Sequence, residues 1–125
     1  MNHTLWIVAA LLAAVALAGG ATKTFVPIRT LAAAPGGQWT GHTHPAVVRT
    51  LGVLELLAAV GLILPAVLDI APVLVPVTAL CWVLLMLGAM ATHYRYRESL
   101  PIALNSLYLV LAGLLVWGRF GPYAF

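Results

Sequence analysis

Four apolar stretches, each about as long as a bilayer is thick, dominate this chain and leave little else to fold. They cover residues of about 5–23, 46–65, 72–92 and 101–118. One helix needs roughly 20 apolar residues to cross the hydrocarbon, so four spans and short connections use nearly all 125 residues. The charge count points the same way: 7% of residues are charged, against about 25% in soluble domains. So few charges cannot cover a water-facing surface, and lipid is the implied solvent. The expected fold is all-α, an integral membrane four-helix bundle forming one domain from residue 1 to 125, with no internal repeat or low-complexity tract.

Several function classes are excluded at once. The formal charge is +3, but the six Lys and Arg are scattered over separate loops and form no nucleic-acid footprint. The lone cysteine, Cys81, rules out an intrachain disulfide or a dithiol redox centre. It lies in an apolar run and is expected to be a small buried hydrophobe. The first run could be a cleaved signal peptide, with Ala16-Leu17-Ala18 as the cleavage site. Its leading residues Met1-Asn2-His3-Thr4 lack the Lys or Arg of an n-region, and the run is long for an h-region, so a retained helix is expected.

Within helix 1, Ala9, Ala13, Ala16, Gly20 and Lys23 recur at steps of four and three and share one face. Small residues let helices approach closely in lipid, so this stripe is expected to face the bundle. Lys23 then either points inward with the stripe or snorkels to the headgroups. Residues 24–45 form the longest connection, and Pro27, Pro35, Gly36, Gly37, Gly41 and Pro45 argue against a continuous helix there. His42 and His44 in this loop fall short of the three or four ligands of a usual metal site, which favours an ordinary polar loop. Helix 2 is expected to close at Pro65, and helix 3 to start near Pro72, with Pro76 bending its first turns.

Four spans place both termini on one side of the membrane. The first and third loops with their flanks hold Lys23, Arg29, Arg49, Arg95 and Arg97, while the termini side holds only Arg119. The positive-inside rule therefore predicts a multi-pass protein of the cell membrane with both termini outside the cytoplasm. Trp6, Trp117 and Tyr123 would mark the outer interface, and Tyr94 and Tyr96 the inner one.

The polar residues in or near the hydrocarbon are the informative ones. Glu55 lies deepest, near the middle of helix 2, where a bare carboxylate costs about 3 kcal/mol on insertion scales. It must be protonated, paired or hydrated. Lys23, Arg49, His93 and Asn105 all fall at the same end of their helices, and Glu55 is the one carboxylate on which they could converge. Asn105 shares a face with Tyr108 and Ala112, and His93 with Met86, Ala89 and Met90. If these faces point inward, Lys23, Arg49, Glu55, His93, Asn105 and Tyr108 form a polar cluster roofed by apolar side chains. Such a site suits a small lipophilic ligand with a polar head, a quinone among them. A purely structural ion pair between Glu55 and Lys23 or Arg49, and a proton-transfer site, are the competing readings.

At these residues the chain resembles the DoxX-like family of small bacterial membrane proteins. The matching elements are Gly20-x-x-Lys23, Arg49-x-x-Gly52-x-x-Glu55, Gly61-Leu62-Ile63-Leu64-Pro65, Met86-x-Gly88-Ala89-x-x-x-His93 and Asn105. The resemblance covers nearly the whole chain and implies a four-helix membrane bundle. The family takes its name from a membrane subunit of a thiosulfate:quinone oxidoreductase, and other members associate with redox and detoxification enzymes. It thereby implies an accessory subunit linked to quinone or redox metabolism, in contact with membrane lipid and a redox-enzyme partner. The alternatives are a quinone-reactive oxidoreductase subunit, with Glu55 and His93 handling protons, and a small transporter acting as a homo-oligomer. No cysteine pair, matched heme-ligating histidines, nucleotide loop or nucleophile triad supports independent catalysis.

Overall fold

A computed structural model describes all residues, Met1–Phe125. The chain forms α1 (Asn2–Phe25), a short α2 (Ile28–Ala33), a single 3-10 turn (Gln38–His42), α3 (Pro45–Val67), α4 (Leu74–Arg95) and α5 (Ser99–Phe120). The four long helices carry apolar windows of mean hydropathy 1.9–2.2, long enough to cross a membrane. There is no strand. Lipid exposure explains the surface: large apolar side chains such as Ile7, Leu57, Leu84 and Val110 are all exposed on the outside of the bundle.

α1 packs most closely on α3, and α4 on α5, so the bundle consists of two helix pairs. They meet along an α3/α4 seam and an α1/α5 seam. The α1/α3 contact is a backbone contact. A Cβ built on Gly20 would stand 2.8 Å from the Gly52 carbonyl oxygen, and one on Gly52 would stand 2.8 Å from the Thr24 nitrogen. Small residues at this crossing supply the dispersion contacts that hold helices together in lipid. The small-residue stripe of α1 does face the bundle: Ala9, Ala16 and Gly20 are buried and Ala13 is half-buried.

The two ends of the bundle differ. At the end carrying the termini, Leu5, Leu12, Leu62, Val75, Ala79, Trp82, Ala112 and Leu115 close into one apolar core. Arg119 is buried there as well. Its Nη1 donates to Asn2 Oδ1 at 2.7 Å and to the Tyr123 carbonyl at 2.8 Å, and its guanidinium lies 4.0 Å from the Phe125 ring centroid. It is thus part of the packed interior. Trp6 and Trp117 make edge contacts with Phe125 and Tyr123 at this end.

Several expectations are corrected. Cys81 is exposed, not buried. α4 is apolar on every side, so an apolar neighbourhood in sequence does not separate the lipid face from the core. α3 runs two residues past Pro65, to Val67. α4 begins at Leu74, two residues after Pro72, and the preceding turn places Asp69 and Ala71 at φ of 54° and 49°. The first loop is not a plain loop: α2 and the 3-10 turn fold it across the end of the bundle. His42 stacks on Tyr96 with ring centroids 6.0 Å apart, which ties that fold to the α4–α5 connection.

Candidate functional site

Glu55 lies ten residues into α3, about 15 Å along the helix by its 1.5 Å rise. Val48, Gly52, Glu55 and Leu62 are the buried residues of α3, and their spacing carries one face inward. Glu55 is only 5% exposed. The Lys23 ammonium stands 3.1 Å from both of its oxygens and donates to each. Space for the carboxylate comes from Gly19, where a Cβ would lie 2.8 Å from Glu55 Oε2. An opposite charge at this distance offsets part of the cost of taking the carboxylate out of water.

Arg49 and His93 do not converge on Glu55 as expected. Arg49 Nη1 donates to the carbonyls of Lys23 at 2.9 Å and Val26 at 2.6 Å. The last carbonyls of a helix lack intrahelical donors and form the negative end of its dipole. Arg49 satisfies them, and so fixes the end of α1 from which Lys23 projects. His93 Nδ1 lies 2.9 Å from Glu98 Oε1 across the turn that leaves α4. A carboxylate partner makes Nδ1 the protonated nitrogen and leaves Nε2 as the other working atom of the ring. Tyr108 packs against the apolar core instead of joining the polar cluster.

Lys23, Glu55, His93 and Asn105 nevertheless line one cavity of about 620 Å³ at the loop end of the bundle. Met86 and Ala89, on the His93 face, and Gly88 of the same motif also line it. Leu51 of α3 and Leu84, Leu85 and Thr92 of α4 contribute as well, and sequence reasoning did not single these out. Leu31, Ala34, Pro35, Gly36, Gly37, Trp39 and Thr40 cover the cavity from the first connection. Thr40 is buried, and its hydroxyl donates to the Gly37 carbonyl at 2.6 Å, holding the 3-10 turn in shape. Gly36 takes φ of 78°, a conformation that favours glycine. A Trp amid Pro and Gly is the one signal in the sequence that this connection buries something.

The two loop histidines take structural places. His44 Nδ1 accepts from the Ala46 amide at 3.1 Å and caps α3. No group of three or more His, Cys, Asp or Glu side chains comes together anywhere in the chain.

The fold and the cavity define a class: a multi-pass four-helix membrane protein, sealed at one end and hollowed at the other around a buried lysine–glutamate pair. The chain belongs to the DoxX-like family, whose model matches residues 7–115. Comparison with curated proteins and with solved structures finds no match.

Proposed function

We propose that this protein is an accessory membrane subunit that holds a quinone-class molecule in the loop-end cavity for a redox-enzyme partner. The observation that carries the reading is the make-up of the cavity. Its volume of about 620 Å³ falls within the roughly 300–1,000 Å³ of small-molecule sites. Its lining combines residues that carry hydrogen-bond donors, Lys23 and Asn105, with apolar ones, Leu51, Leu84, Leu85 and Met86. Quinone carbonyls accept hydrogen bonds, and the ring needs an apolar slot. The donor set therefore fits this ligand class.

A quinone-reactive subunit is the second reading, favoured by the His93–Glu98 pair at the cavity wall. There His93 would exchange a proton with a quinone oxygen while the partner enzyme supplies or takes the electrons. In either case the loop end faces the cytoplasm and both termini lie outside. The support for this orientation is that Arg29, Arg95 and Arg97 are exposed at the loop end, whereas the single basic side chain of the other end, Arg119, is buried.

The test is purification from native membranes in mild detergent, followed by solvent extraction and identification of co-purifying proteins. Near-stoichiometric quinone, with a partner enzyme in the same peak, is the expected result. Asn105→Leu should lower the quinone content without lowering thermal stability. A homo-oligomer carrying no quinone would overturn the proposal.

A further inference from the structure

The α4 wall of the cavity reaches the outer surface of the bundle. Successive helical residues turn by about 100°. Leu84 and Gly88 therefore lie at one edge of the lining strip, Leu85 and Thr92 beside them, and His93 and Met86 at the other edge. Burial follows this order: Leu84 is 64% exposed and Gly88 is exposed, Leu85 and Thr92 are intermediate, and Met86 is 5% exposed. Opposite, on α3, the wall passes from half-buried Leu51 to buried Glu55. A Cβ built on Gly88 would meet no atom within 4 Å. Gly88 lies seven residues before Arg95, the end of α4, about 10 Å inside the helix end. That depth is within the hydrocarbon of a bilayer roughly 30 Å thick. The connection bearing Trp39 and Thr40 covers the cavity on its water-facing side.

We propose that the cavity opens sideways into the bilayer between α3 and α4 at Gly88, and that its ligand is a lipid-borne molecule whose alkyl chain leaves through this gap. This rests on reading the cavity as a ligand site, and it narrows the ligand class. A water-soluble molecule would have to pass the covered end, whereas a chain-bearing one reaches Lys23 and Asn105 from the membrane with its tail still in lipid. The chain gains little hydrophobic energy in the gap, since lipid is equally apolar. The gap acts through shape: filled, it leaves the chain no way out.

The test uses the full chain in lipid nanodiscs, with two probes sharing one head: decylubiquinone, and a ubiquinone bearing a single isoprene unit. Gly88→Leu and Gly88→Trp place side chains in the gap from a Cβ that meets nothing within 4 Å. Each should lower the affinity ratio of the long-chain to the short-chain probe by at least about tenfold, a factor worth about 1.4 kcal/mol. Gly113→Leu on α5 is the control, because a Cβ there also meets nothing within 4 Å and Gly113 does not line the cavity. It should leave the ratio unchanged. A ligand-free measurement runs in parallel. A nitroxide on Thr92→Cys, in a Cys81→Ser background, should relax faster with oxygen than with a water-soluble nickel chelate, and Gly88→Trp should reduce the oxygen effect. Preferential relaxation by the nickel chelate, or an unchanged probe ratio in both Gly88 variants, overturns the gap. Oxygen access with no binding of either probe overturns the quinone reading and leaves the gap standing.

Discussion

Replacing Glu55 by Gln removes the negative charge while keeping the shape of the side chain. Only one basic group then loses its partner, because Arg49 is held by backbone carbonyls and His93 by Glu98. Stripping one member of a buried ion pair costs about 3–5 kcal/mol. The Lys23 side chain is 24% exposed, so its ammonium can swing partly toward water or headgroups. The expected loss is therefore nearer to about 2–3 kcal/mol, on the order of 10 °C in Tm for a chain of this size. Lys23→Met should cost at least as much, since it strands the more deeply buried partner. The double variant Lys23→Met/Glu55→Leu removes both charges and fills the space with apolar groups of similar volume. It should recover to within about 1 kcal/mol of wild type or exceed it, as hydrophobic replacements of buried pairs often do. Thermal unfolding of wild type, Lys23→Met, Glu55→Leu and the double variant in one detergent closes the cycle. Losses that simply add in the double variant would mean that the two side chains do not act on each other, and the ion-paired cavity wall would be refuted.

Arg49→Gln loses the charged donor to the Lys23 and Val26 carbonyls and should cost about 2–3 kcal/mol, read as a fall in Tm; no change would show that α1 needs no cap from α3. Gly52→Val would drive a side chain into the Thr24 backbone, and it should stop the protein from accumulating in the membrane, as judged by immunoblot against wild type. Reporter tags fused to the N- and C-termini should both signal from outside the cytoplasm; signals from inside at both ends would reverse the orientation and leave the four spans intact.

What could be read in the sequence, and what could not, follows from how each residue finds its partner. The four spans are visible because lipid demands long apolar runs of any helix that crosses it. The Lys23–Glu55 pair is foreshadowed because a mid-span carboxylate must find a cation and Lys23 ends the small-residue face of α1. The partners of Arg49 are backbone oxygens, which every residue type carries, so composition gives no hint of them. The His93–Glu98 pair depends on a turn in which Arg97 takes φ of 54°, a local geometry that helix periodicity does not reveal. The cavity cover was hidden for a related reason: Pro and Gly announce a bend, but not what the bend lies against. Cys81 shows the general limit, since in lipid the outside of a helix is as apolar as its inside.

The division of the bundle into a packed half and a hollow half separates two demands that usually compete. Substitutions that tune a binding site commonly weaken the protein, because lining and supporting residues are the same. Here the core that holds the helices together, from Leu5 and Leu12 to Ala112 and Leu115, does not include Leu84, Gly88 or Thr92, although Leu85 packs against it. Changes at Leu84, Gly88 and Thr92 should alter the shape of the cavity at little expense to folding. The shape of the cavity can therefore change through a few side chains along one edge of one helix while the core stays as it is.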